Sequence, residues 1–238
     1  MRRLVLPADA LRVPPEGPLE LPPEVAKHLR VLRLGPGDPL QLTDGEGRRA
    51  VGVLDTLDKK RATVLLESIE SVPLPEGPEI YLLQGVGKGD KLDTVTRQVA
   101  ELGARRLVPV ASARAVAQRD NKTERLRVIA DDALRVSGRA HRMRVDDPMS
   151  FEAALEIDAQ LKLVFAWEDA EPLRAQLEDS RPASVALLVG PEGGFSPEEL
   201  ARAAASGYRR THLGPHTLRT ETAGPAVVAM VRYALDGA

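Results

Sequence analysis

Two loops in the C-terminal half share one grammar. Leu188-Val189-Gly190-Pro191 runs into Glu192-Gly193-Gly194-Phe195, and His212-Leu213-Gly214-Pro215 runs into His216-Thr217-Leu218-Arg219-Thr220-Glu221. Each follows a short apolar run, at 185–190 and 210–213, and a third run at 161–167 ends in Phe165-Ala166-Trp167. In an α/β sheet, ligands bind beyond the carboxyl ends of the strands. Glycine at such a position lets backbone approach a ligand without side-chain bulk. One Gly-Pro pair is a tight turn; two at consecutive strand ends point to a ligand cradle. Other chemistries fail on spacing. Gly85-Val86-Gly87-Lys88-Gly89 has a glycine where a phosphate loop needs Ser or Thr after the lysine. Gly190-Pro191-Glu192-Gly193-Gly194 is not the dinucleotide glycine pattern either. His212 and His216 are spaced like a metal pair, but Gly214-Pro215 breaks any helix between them, so no metal is expected. Ser196 lacks a nucleophile elbow and, with Pro197 and Glu199, reads as a helix cap. The absence of cysteine excludes disulfides, thiol catalysis and cysteine-ligated zinc.

The elements that must position these loops follow from periodicity and punctuation. Pro73-Leu74-Pro75-Glu76-Gly77-Pro78 cannot continue a helix or a central strand and reads as a linker over 73–78. Before it, strands are predicted at 39–43, 50–54 and 62–66, with a helix over 24–32 behind Pro22-Pro23. This predicts a small, hairpin-rich β domain over 1–72. After the linker, strand and helix alternate over 79–238. An apolar run at 80–86 leads to Asp90 as cap of a helix with Leu92, Val95, Val99 and Leu102 on one face, closing at Gly103. A strand follows at 107–110, then a helix opened by Thr123 and ended at Ser137-Gly138. That rhythm predicts an α/β fold with a largely parallel sheet. The final segment, 223–235, is apolar over much of its circumference, which buries it in a core or across a subunit interface.

Composition bounds the partners. The 238 residues have 43% hydrophobic and 29% charged side chains, ordinary for a globular chain. No run approaches the ~18–20 apolar residues of a membrane span. The apolar start stops at Pro7, so a cytosolic, signal-free N-terminus is expected. The net charge of −2 hides an asymmetry: 105–144 carries 11 basic and 4 acidic side chains, ending in Arg135, Arg139, His141, Arg142 and Arg144. Such a stripe is either an electrostatic footprint for nucleic-acid phosphate or a solvated helix face. With seven aromatic residues in the chain, stacking of bases on aromatic platforms is not the expected mode of binding.

The Gly190–Phe195 loop, together with Leu213-Gly214-Pro215 and Leu218-Arg219-Thr220-Glu221-Thr222-Ala223, resembles the signature of the 16S ribosomal RNA uridine N3-methyltransferase family of the SPOUT superfamily. His28-Leu29-Arg30-Val31-Leu32-Arg33 with Gly37-Asp38, Lys88-Gly89-Asp90-Lys91 and Glu101-Leu102-Gly103 agree with it, so the resemblance covers both halves of the chain. The chain departs from the family at Arg135-Val136, where Glu-Gln is usual, and at His216-Thr217, where a basic residue precedes an aliphatic one.

The resemblance implies a PUA-like β-barrel followed by a trefoil-knotted α/β methyltransferase domain. It also implies S-adenosylmethionine as cofactor, a homodimer, and 16S ribosomal RNA or the small subunit as cytoplasmic partner. The cofactor would lie among the three strand-end loops, held by Ala166, Trp167, Leu188, Val189, Gly190, Glu192, Gly193, Leu213, Gly214, Leu218 and Thr220. Leu188, Leu213 and Leu218 would be apolar walls, and Trp167 either a cover or a core anchor. Arg219 is the expected stabiliser of a uridine anion. Glu192 and Glu221 are the candidate proton acceptors, unless Glu192 bonds loop amides and Glu221 caps the final helix. Arg2, Arg3, Lys27, Arg30, Arg33, Arg135, Arg139 and Arg142 are the expected RNA contacts. The rival readings are a ribose 2′-O-methyltransferase and a non-catalytic RNA-binding protein.

Overall fold

The computed structural model describes residues 1–12, 17–59, 61–114 and 122–235. The chain divides into two compact units. Part of the arginine-rich window, residues 115–121, lies outside the described residues.

The first unit comprises Met1–Pro75 and Leu134–Arg142. Its strands are β1 (Arg2–Val5), β2 (Leu19–Glu20), β3 (Pro39–Thr43), β4 (Arg48–Leu57) and β5 (Ala62–Ser71), with helix α1 (Pro23–Val31) between β2 and β3. They form a five-stranded sheet in the order β1-β3-β4-β5-β2. β3, β4 and β5 are antiparallel neighbours, as short runs punctuated by turns predict, whereas β1 joins β3 in parallel. β5 runs five residues beyond its predicted end, because 67–71 alternates polar residues on a half-exposed strand that an apolar-run criterion misses. Inward residues Leu4, Leu29, Leu40, Leu42, Leu54 and Val64 build one core.

The segment 134–142 is stitched into this unit. The Gly47 N–H donates to the Ala140 carbonyl (3.0 Å) and the Arg142 N–H to the Gly45 carbonyl (2.8 Å). A Cβ on Gly45, at φ +76°, would lie 2.6 Å from Arg142 Nη1, so glycine permits both the turn and the close approach.

The second unit comprises Glu76–Ala133 and Met143–Ala238. Its strands are β6 (Glu79–Gly85), β7 (Arg106–Ala111), β8 (Arg144–Val145), β9 (Met149–Ser150), β10 (Leu161–Phe165), β11 (Glu171–Pro172), β12 (Ser184–Val189) and β13 (Arg209–His212). The path through the sheet is β11-β13-β10-β12-β6-β7-β8, with β9 also on β7, and every pair is parallel. The helices are α2 (Lys91–Glu101), α3 (Lys122–Ser137, its end in the first unit), α4 (Phe151–Leu155), α5 (Leu173–Leu177), α6 (Pro197–Ala205) and α7 (Thr220–Leu235).

Two cores cover the two faces of the sheet, as a parallel sheet requires. Ile80, Leu82, Leu163, Leu187 and Val189 face one core, with α2, α5 and α7; Leu83, Val164, Ala186 and Leu188 face the other, with α4 and α6. After β13 the chain crosses back past β10, so that α7 packs on α2 and against β6 and β12. α7 buries Val227, Val228, Val231 and Leu235, while Met230 is 47% and Tyr233 92% exposed. Ser196 caps α6 as the sequence predicts: its hydroxyl accepts from the Glu199 N–H (3.2 Å), and Glu199 accepts from the Ser196 N–H (2.8 Å).

Candidate active site

β13, β10, β12 and β6 are parallel neighbours, so the loops after them open at one edge of the sheet. They enclose a cavity of about 550 Å³. Phe165, Ala166 and Trp167 come from the end of β10. Val189, Gly190, Glu192 and Gly194 come from the end of β12, and Leu213 and His216–Glu221 from the chain between β13 and α7. Lys91 enters from the first turn of α2. Trp167 is 47% exposed and stacks on His212 at 5.7 Å and 15°, which makes it a cavity wall and not a core anchor.

The loop after β12 is pinned on both sides. The Gly190 carbonyl accepts the Thr220 hydroxyl (2.7 Å), and that hydroxyl accepts Gln84 Nε2 (2.8 Å) from the end of β6. Gln84 is buried, and a Cβ on Gly224, one turn into α7, would come within 2.5 Å of its Oε1. Glu192 is seated on the β6–α2 loop. Its Oε1 accepts from Lys91 Nζ (2.9 Å) and from the Lys88 N–H (3.1 Å). A Cβ on Gly87 would lie 2.9 Å from both of its carboxylate oxygens. The hydrogen bond from Lys91 holds the Glu192 carboxyl below its ordinary range, against the opposing effect of burial, and raises the Lys91 ammonium in return. Lys91 Nζ also lies 3.4 Å from Glu221 Oε2.

Arg219 stands exposed at the rim. Its carbonyl accepts the Thr222 and Ala223 N–H groups that open α7 (2.9 and 2.8 Å), so Arg219, and not Glu221, occupies the capping position. Among the described residues its guanidinium has no hydrogen-bond or ion-pair partner.

The cavity thus brings together Arg219, Glu221, Glu192, Ala166, Trp167, Val189, Gly190, Leu213, Leu218 and Thr220. Leu188, Gly193 and Gly214 do not line it. Strand alternation turns Leu188 to the opposite face of the sheet from Val189. Gly193 faces Arg114 instead: a Cβ there would meet Arg114 Cβ at 3.2 Å, and its carbonyl accepts Arg114 Nη1 at 2.6 Å. Gly214 takes φ +131°, a turn geometry suited to glycine. Sequence reasoning missed Lys91 and Gln84. One signal was available for the first, since a lysine in the first turn of a helix opposes the helix dipole and needs a carboxylate partner.

The expected RNA contacts divide in the same way. Arg2, Lys27, Arg30 and Arg33 are exposed on the first unit. Arg3 donates to Gln41 Oε1 (3.1 Å) and to the Val136 carbonyl (2.9 Å). Arg142 donates to the carbonyls of Asp44 (3.1 Å) and Leu6 (3.3 Å). Arg135 and Arg139 belong to the stitched segment.

The sequence profile of an RNA methyltransferase domain matches residues 75–232, and that of an RNA methyltransferase PUA domain matches 21–67. Ribosomal RNA small subunit methyltransferase E of Bacillus subtilis is 31% identical over 88% of this chain and 87% of its own length. This chain belongs to the ribosomal RNA small subunit methyltransferase E family. The family member from Aquifex aeolicus is 30% identical over 86% of this chain and 90% of its own. Among solved structures, a putative methyltransferase from Legionella pneumophila, in complex with bound SAM, superposes with a TM-score of 0.89 at 29% identity, covering 98% of this chain and 97% of its own. The Neisseria gonorrhoeae family member, bound to S-adenosyl methionine, gives 0.88 at 28% identity with the same coverage. The fold is therefore that of the SPOUT-type ribosomal RNA methyltransferases, with an N-terminal PUA domain. Among the described residues, no helix is long and apolar enough to cross a membrane.

Proposed function

We propose that this chain methylates N3 of a uridine in 16S ribosomal RNA, with S-adenosylmethionine as methyl donor. The observation that carries the reading is the convergence of three strand-end loops on one cavity whose rim presents Arg219. The lining fits the cofactor. Phe165, Val189, Leu213, Leu218 and Ala223 offer apolar walls, the glycine-bearing loop offers backbone, and Glu192 suits a cationic sulfonium or ammonium. When bound, that cofactor supplies a methyl group already activated on sulfur.

The chain's own work is to align the base and to manage its N3 proton; alignment supplies several kcal/mol of barrier reduction. Loss of that proton leaves negative charge on the pyrimidine. A guanidinium presented at the rim favours this anion over the neutral base, so Arg219 acts as the electrostatic stabiliser. N3 lies on the Watson–Crick edge, so the target uridine is unpaired or flipped when it reacts. Arg2, Lys27, Arg30 and Arg33, with Arg135 and Arg139, hold the surrounding phosphates.

The small-subunit substrate named for the relatives supports a cytoplasmic enzyme. We also infer a homodimer, supported by the apolar strip of Met230 and Tyr233 that α7 leaves exposed; sedimentation equilibrium checks the mass. The experiment for the activity incubates the chain with methyl-labelled S-adenosylmethionine and undermethylated small subunits, then digests the RNA to nucleosides. N3-methyluridine is the expected product. Label in 2′-O-methyl nucleosides, or no label, overturns the reading.

A further inference from the structure

The cavity holds two carboxylates from different loops and one ammonium between them. They are not equivalent. Glu192 Oε1 already accepts from Lys91 Nζ at 2.9 Å and from the Lys88 N–H at 3.1 Å, and its carboxylate rests where any side chain at residue 87 would collide. Glu221 stands in the first turn of α7 with its Oε2 buried. That oxygen lies 3.4 Å from Lys91 Nζ and accepts no hydrogen bond. Buried acceptors in native proteins are almost always hydrogen-bonded, so this oxygen, ion-paired but without a well-aligned donor, keeps a lone pair free for a ligand N–H.

Resting on the uridine N3 reading above, we propose that Lys91 is a positioning residue that divides the work of the two carboxylates, anchoring Glu192 in the cofactor loop and aiming Glu221 as the acceptor of the N3 proton. The N3–H bond breaks, its proton passes to Glu221 Oε2, and the bonding pair stays on N3, where it forms the bond to the methyl carbon as that carbon's bond to the donor's sulfur breaks and its pair leaves on sulfur. Glu221 then returns the proton to water. Two features of the cavity support this order. Glu192 is held below the usual carboxylate range by its hydrogen bond to Lys91, which makes it the poorer proton acceptor. Among the described residues, Lys91 alone pairs with both acids, and it springs from a third element, α2, so its ammonium fixes their separation.

The test is a double-mutant cycle on the full chain. It is read by single-turnover methylation at saturating RNA and cofactor, with cofactor affinity measured separately by calorimetry. Glu221→Gln is isosteric and cannot take the proton; it is expected to slow the chemical step about a hundredfold or more while cofactor affinity stays within about twofold. Lys91→Met is expected to slow the step about tenfold, and Lys91→Arg to recover most of that loss. The double variant Lys91→Met/Glu221→Gln is expected to be no slower than Glu221→Gln alone, because Lys91 acts through Glu221. Should Glu221→Gln fail to fold, Glu221→Asp, which keeps the charge but retracts the oxygen, is expected to give an intermediate rate. Multiplicative losses in the double variant overturn the positioning role. A Glu221→Gln chain that methylates at the normal rate, or that loses cofactor affinity instead of rate, overturns the proton role. Absence of N3-methyluridine from the unmodified chain is a different failure, that of the underlying reading.

Discussion

The loop after β12 and the loop after β13 open on the same Gly-Pro pair and do opposite work. In the first, the Gly190 carbonyl, the Gly193 carbonyl and the Glu192 carboxylate all receive donors from other elements: Thr220, Arg114, and Lys88 with Lys91. In the second, His216, Thr217, Leu218 and Arg219 are exposed, and the Gly214 N–H donates to His212 Nδ1 (3.1 Å) at its start. One loop is a floor with its polar groups satisfied, which suits a small ligand that must be held the same way each time. The other is a rim with open donors, which suits a large ligand that arrives from solvent. A shared dipeptide therefore reports only the turn; the partners of the residues after it decide the role.

The strongest challenge to this contrast comes from the rim. Arg219→Ala is expected to lower the single-turnover methylation rate on the order of a hundredfold, with little change in cofactor affinity or melting temperature. Arg219→Lys recovers part of the loss, because a point charge lacks the planar fork. A near-normal rate for Arg219→Ala would make the rim structural and erase the distinction.

The floor answers to a different variant. Thr220→Val keeps the shape and deletes a hydroxyl that both donates to Gly190 and accepts from Gln84. It leaves the Gly190 carbonyl unpaired and the Gln84 amide with a long contact to the Gly85 carbonyl (3.5 Å), at a cost of about 1–3 kcal/mol. The expected result is a lower melting temperature together with weaker cofactor binding in calorimetry. A loss of rate with affinity and melting intact would place Thr220 with the rim.

The smallest effects extend the contrast to the arginines of the first unit. Arg30, exposed near the end of α1, is expected on substitution by alanine to reduce the log–log salt slope of RNA binding by about one and to leave the melting curve alone. Arg142→Ala is expected to lower the melting temperature, because the carbonyls of Leu6 and Asp44 lose their donor. Reversal of the two outcomes would exchange their roles.

What the sequence determined by itself is local. Short apolar runs marked the strands, Ser196-Pro197-Glu198-Glu199 wrote a complete capping box, and proline and glycine marked the loops, because each of these signals acts over one or two turns of chain. The strand-end loops with Arg219, Glu192 and Glu221 were legible for that reason. The tertiary structure decided what the same residues touch. Leu188 reads as a wall of the site until the sheet gains helices on both faces and alternation turns it away from the cavity. Gly193 reads as a cofactor contact until Arg114 is found against it. Gln84 and Thr220 lie 136 residues apart, and only the placement of β6 beside β12, with α7 returning over both, brings the amide to the hydroxyl. Lys91 meets its two carboxylates by the same route. Hydrogen bonds and ion pairs form where the chain brings groups within about 3 Å. Strand order sets those distances, and it is a property of the whole packed chain that no local window of sequence contains.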